Sequence, residues 1–152
     1  MVFDPAHAPR LRGAFLDWFQ NGTQIDGHDY SSPTRLSAPL ARAYPQLATQ
    51  FPPRASLPLA APVTASGGLW HRLFPARASL AAAPVAPPPV TADYSFAESF
   101  IYLSFLGEVA DHAYQGVLRV AYETGAGFYN AASEWGEILH DREQIAPYLF
   151  GM

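Results

Sequence analysis

Residues 31–92 form the segment that most limits what this chain can fold into. The segment holds most of the 15 prolines of the chain and five Arg, but neither Asp nor Glu. Proline fixes φ and lacks the backbone N–H group, so prolines at this density interrupt both helices and sheets. The sequence therefore predicts a long, extended, basic Pro/Ala-rich arm over residues 31–92, without regular secondary structure.

Residues 1–30 carry the pattern of a short amphipathic helix. Leu11, Phe15 and Trp18 are spaced i, i+4, i+7 and would form one apolar stripe. The dipeptide Asn21-Gly22 is typical of a helix end. These residues predict an N-terminal helix followed by a turn.

Residues 93–152 also show helical spacing. Ser95-Phe96-Ala97-Glu98 matches a capping box, which would open a long helix, and Gly125 and Gly127 would end that helix. A second apolar face at helical spacing follows, made of Phe128, Ala132, Trp135 and Leu139. The predicted fold class is mainly α, with an N-terminal helix, the extended arm and a C-terminal helical hairpin with a short tail.

Charge is distributed unevenly along the chain. Residues 1–92 contain seven Arg and four acids, a net charge of +3, whereas residues 93–152 contain two Arg and nine acids, a net charge of −7; together they give the net −4 of the whole chain. A basic arm and an acidic helical body favour contacts between the two, within one molecule or between neighbours.

Only 14% of the residues are charged, against about 25% in an ordinary globular domain. This thin polar coat is typical of a subunit whose surface is covered by partners.

A short motif is repeated inside the arm. Phe51-Pro52-Pro53-Arg54-Ala55-Ser56-Leu57 matches Phe74-Pro75-Ala76-Arg77-Ala78-Ser79-Leu80, and Pro33 begins a weaker third copy. A recurring linear peptide is typical of a recurring docking segment, in which Pro lowers the ordering cost and Arg supplies a directional ion pair. The predicted partner-binding residues are Arg35, Phe51, Arg54, Leu57, Trp70, Phe74, Arg77 and Leu80. The alternative interpretation is low-complexity drift within a Pro/Ala/Arg-biased segment.

One set of residues has metal-ligand spacing. Glu137 and His140 form Glu-x-x-His, and Glu108 and His112 lie one helical turn apart, as in di-metal carboxylate bundles. Glu108, Glu137 and His140 fall on the polar faces of the predicted helices, which favours a solvated surface over a metal site. The chain has no Cys and no Gly-x-Ser-x-Gly elbow. We therefore predict neither catalysis nor a cofactor.

These patterns predict a non-catalytic structural subunit that staples neighbouring subunits of a large multi-copy complex through its arm. The class we favour is a bacteriophage virion component, such as a capsid cement, connector or tail protein, because arms that join neighbours suit symmetric shells. The alternatives are an accessory subunit of a bacterial multi-subunit enzyme and a small helical di-metal enzyme.

The expected partners are protein subunits, including copies of the same chain. Sparse Arg in an acidic chain does not favour direct nucleic-acid binding. The most apolar stretch, residues 96–106, is too short to span a bilayer and contains Glu98. No apolar signal region begins the sequence, so the expected location is the cytoplasm or a virion.

Overall fold

The computed structural model describes residues 1–25, 27–56, 89–106, 109–133 and 136–151. Within these ranges the chain forms five strands, four helices and one short 3₁₀ turn. Their order is β1 (Val2–Phe3), α1 (Arg12–Gly22), α2 (Ala38–Gln50), the 3₁₀ turn (Arg54–Ser56), β2 (Ala92–Ala97), β3 (Phe100–Phe105), α3 (Ala110–Thr124), β4 (Gly127–Asn130), β5 (Glu137–Leu139) and α4 (Arg142–Phe150).

The strands form one antiparallel sheet in the order β2-β3-β1-β4-β5. The short strand β1 lies at its centre, where Val2 is paired with Ile101 on β3 and with Phe128 on β4. Strands β2 and β3 form a hairpin, and β2 is the outer strand on its side of the sheet.

Helices cover both faces of this sheet. Alternate side chains of a strand point to opposite faces, and accordingly Val2 packs in one apolar cluster and Phe3 in another. The first cluster contains buried residues of α2, α3 and α4, and the second contains Phe15 of α1. None of the helices in the described part of the chain is long and apolar enough to cross a membrane.

The predicted mainly α fold class is wrong, because the molecule is an α+β protein. The predicted N-terminal helix is present as α1, and α3 ends at Gly125, whose φ of +74° suits glycine. However, the predicted capping box lies in β2 and its turn, and the second predicted helix is replaced by β4 and β5. Helical spacing in these stretches was accidental, since Ile101 and Phe100 bury their side chains on opposite faces of β3.

Helix α2 contradicts the predicted absence of regular structure in residues 31–92. Leu40, Ala43 and Leu47 make a completely buried stripe against α3. Burial of the two Leu side chains contributes about 3–6 kcal/mol, which offsets the roughly 3 kcal/mol cost of Pro45 inside the helix. Residues 57–88 lie outside the described residues, so the arm remains a prediction there.

Candidate functional site

Residues 51–56, the described part of the first copy of the repeated motif, lie in a cleft at the outer edge of β2. The main-chain N–H of Ala92 donates a hydrogen bond to the carbonyl of Pro52 at 3.2 Å. Pro53 and Ala92 form an isolated parallel β-bridge. The chain therefore enters residues 57–88 beside the point at which it returns into the sheet.

An aromatic pocket holds Phe51, which immediately follows α2. Only 3% of its surface is exposed, and its ring meets that of Phe105 edge to face, with centroids 5.2 Å apart. Gly116 of α3 leaves room for the ring, since a Cβ atom there would lie 2.5 Å from the Cζ of Phe51. The pocket thus combines an aromatic wall with a glycine notch, which the ring of Phe51 shares with the side chain of Gln50.

A tyrosine fixes the main chain at the same place. The hydroxyl of Tyr94 donates a hydrogen bond to the carbonyl of Phe51 at 2.7 Å. Burial, together with the neighbouring Tyr44, raises the pKa of Tyr94 well above its usual value. The hydroxyl consequently stays protonated and remains a hydrogen-bond donor throughout the physiological pH range.

An ion pair holds the arginine of the motif. Nη1 of Arg54 lies 2.8 Å from Oδ2 of Asp93, with side chains that are 36% and 53% exposed. Nη2 of Arg54 is buried and has no hydrogen-bond partner among the described residues. At this exposure the pair contributes no more than about 1 kcal/mol, so it selects Arg more than it stabilises the fold. We call the site formed by Ala92, Asp93, Tyr94, Phe105 and Gly116 the motif cleft.

The predicted partner-binding residues have different positions. Phe51 and Arg54 come together in the motif cleft, whereas Arg35 is exposed at a separate polar groove of about 290 Å³, which Asp29 and Glu98 also line. The other predicted positions lie outside the described residues: Leu57, Trp70, Phe74, Arg77 and Leu80. Their binding role remains a prediction.

The four residues of the di-metal hypothesis have separate surroundings where they are described. His112 is exposed on α3, and Glu137 accepts a hydrogen bond from the hydroxyl of Tyr114 at 3.0 Å. His140 is buried beside Phe3, and Glu108 lies outside the described residues. No cluster of three or more His, Asp or Glu able to hold a metal ion occurs in the described part of the chain.

Sequence reasoning missed the residues that receive the motif. Asp93 carried one signal, because it is the first acid after Asp29 and follows the whole acid-free segment. Gly116 and Phe105 carried none, since only the packing of α3 against the sheet brings them next to Phe51.

A second concavity of about 420 Å³ lies between α3 and strands β3 and β4, and Tyr102, Tyr114 and Phe128 line part of it.

Comparison with protein-family models, with curated proteins and with solved structures gives no match for this chain.

Proposed function

We propose that this chain is a non-catalytic assembly subunit that binds neighbouring proteins through residues 57–88. The observation that carries the proposal is the closed stem of this segment. The Pro53–Ala92 bridge and the Arg54–Asp93 ion pair hold the two ends at one sheet edge. Residues 57–88 therefore connect two points that lie beside each other at the edge of β2, which suits a segment that we propose binds a partner.

The distribution of charge supports an acidic binding surface on the partner. Residues 57–88 contain Arg72 and Arg77 and no acid, a net charge of +2, while the remaining seven Arg and 13 acids give −6, in agreement with the total of −4. Opposite charge steers association and suppresses wrong registers. An insertion of this sign is suited to the acidic surfaces of neighbouring copies or of another protein.

Within this class we propose a bacteriophage virion component, such as a capsid cement, connector or tail protein. In a closed symmetric shell every copy faces equivalent sites, so one docking segment per chain joins the whole shell. The small share of charged residues, 14%, supports a surface that neighbours cover.

The test replaces residues 57–88 with a short Gly/Ser linker. Because the stem lies outside the replaced segment, the variant is expected to keep its thermal unfolding temperature. In size fractionation of extracts from the source cells, the unaltered chain should elute in a large particle and the variant as a free chain. Elution of both with the particle, or of neither, would sink the proposal. The composition of the particle then separates a virion from a multi-subunit enzyme.

A scrambled insertion of the same length and composition is the matched control. If the partner recognises the sequence of the motif, the scrambled chain also fails to elute with the particle. If it stays, binding depends on composition alone, and the low-complexity interpretation of the repeat replaces the motif.

A further inference from the structure

The motif cleft shows how one copy of the repeated motif is bound. The ring of Phe51 lies in the notch at Gly116, and Arg54 pairs with Asp93. Between them, the carbonyl of Pro52 accepts a hydrogen bond from the N–H of Ala92. The side-chain contacts are those of Phe and Arg, and the contact between them is made by the main chain, so the cleft recognises Phe-x-x-Arg as a unit rather than a general apolar segment.

The second copy keeps every group that the cleft uses. Phe74, Pro75 and Arg77 stand at the positions of Phe51, Pro52 and Arg54. The one difference among the four positions is Ala76, which replaces Pro53, and that position pairs with Ala92 through the main chain. Main-chain pairing does not depend on the side chain, so the substitution leaves the pattern of recognition intact.

We propose that residues 74–80 of one molecule bind the motif cleft of a second molecule of this chain, in place of Phe51–Arg54. This inference rests on the proposed function and names the partner of the insertion as another copy. In the cleft, residues 74–77 would form the contacts that Phe51–Arg54 give up, as when an identical element is exchanged in domain swapping, while the displaced Phe51 leaves its buried position.

Which copy of the motif occupies the cleft depends on how each copy is connected to it. Within a single chain the first copy directly follows α2, which keeps Phe51 beside the cleft at high effective concentration. In a multi-copy assembly, neighbouring chains raise the local concentration of the second copy, and many such links act together. The basic insertion and the carboxylate of Asp93 also attract each other across two molecules.

The test uses a fluorescent synthetic peptide of residues 73–81 and the full-length chain carrying Arg54→Ala. Loss of the resident ion pair leaves Asp93 without this partner, while the partly solvated pair contributes too little for its loss to unfold the domain. In fluorescence anisotropy the peptide should bind this variant about two- to fivefold more tightly than the unaltered chain. A peptide carrying Phe74→Ala should not bind.

The matched control removes the carboxylate as well. On the Arg54→Ala chain, the unaltered peptide should bind more tightly than the Arg77→Ala peptide. On the Arg54→Ala/Asp93→Ala chain, the two peptides should bind equally. A second readout uses Phe51→Ala, in which the notch is empty: the unaltered peptide should raise the unfolding temperature of this variant, and the Phe74→Ala peptide should not. If Phe51→Ala does not fold, the anisotropy titration decides.

Binding no tighter than that of a scrambled peptide, on Arg54→Ala and on any folded Phe51→Ala, would overturn exchange between copies. If the unaltered chain nevertheless elutes in a large particle and the linker variant does not, the proposed function stands and the insertion binds another protein. If the linker variant also stays in the particle, the proposed function itself fails.

Discussion

His140 is a buried histidine whose protonation is coupled to folding. It is 6% exposed, its ring meets those of Phe3 and Phe15 edge to face, and its Nδ1 has no hydrogen-bond partner among the described residues. Burial, and to a lesser extent the positive charge of Arg10, lowers its pKa, while Asp141 opposes the shift. The folded state therefore holds a neutral imidazole in an aromatic cluster.

The lowered pKa makes the free energy of unfolding depend on pH with a defined sign. The unfolded chain binds the proton at an ordinary pKa of about 6.5, above that of the folded state, so stability falls as pH decreases below about 6.5. His140→Phe removes this contribution. Urea unfolding at pH 7.5 and 5.5, above the range of ordinary carboxyl groups, should show a smaller loss of stability in the variant than in the unaltered chain. Equal losses would contradict the buried neutral histidine.

The Arg54–Asp93 pair makes a second prediction at the scale of single residues. A double-mutant cycle of Arg54→Ala and Asp93→Ala should give a coupling free energy of about 0.2–1 kcal/mol, because both side chains are partly solvated. The coupling, measured by chemical unfolding, should decrease as salt is added. A coupling that does not change with salt would mean that the two groups do not interact as an ion pair.

Helix α3 carries the notch that receives the motif. The notch is formed by Gly116, although glycine is unfavourable inside a helix. Gly116→Ala would raise intrinsic helix stability by about 1 kcal/mol, but the new methyl group would meet the buried ring of Phe51. Overpacking of this kind costs about 1–3 kcal/mol. We therefore expect net destabilisation by up to about 2 kcal/mol, measured by chemical unfolding.

Gly13 in α1 is the matched control for Gly116. A Cβ atom at Gly13 meets nothing within 4 Å, so Gly13→Ala should be neutral or stabilise by up to about 1 kcal/mol. If Gly116→Ala stabilises the protein as much as Gly13→Ala, the notch does not constrain the ring.

The elements differ in how far the sequence could predict them. Helix α1 and the end of α3 at Gly125 follow from local spacing and glycine chemistry. The β2–β3 hairpin does not follow from local spacing. Both faces of its strands are buried, so its apolar residues form a nearly continuous run that fits a helical period as well as a strand. Helix α2 was hidden by its prolines, whose local cost is offset by long-range burial that no local pattern reports.

The candidate site was likewise only half predictable. The repeat singled out Phe51 and Arg54 as a recognition unit, since both are local in sequence. The receiving residues come from β2, β3 and α3, so tertiary packing alone brings them together.

At the scale of the whole molecule, the described residues form an α+β domain with apolar clusters on both faces of its sheet, and residues 57–88, the proposed docking segment, are basic. The contacts that close the stem lie within residues 51–54 and 92–94, outside the segment proposed to dock. Since the insertion is positive and the remainder negative, association between chains should weaken as ionic strength rises. Sedimentation at low and high salt measures this effect, and association that is stronger at high salt would point to an apolar interface instead.

Hydrogen exchange of residues 57–88, compared between the isolated chain and its native assembly, tests whether this segment docks on a partner. We expect the amides of this segment, above all those near Phe74 and Arg77, to become strongly protected on assembly, while the sheet shows the same protection in both states. Equal exchange of residues 57–88 in the two states would contradict a docking insertion, and the binding surface would then have to be sought on the domain itself.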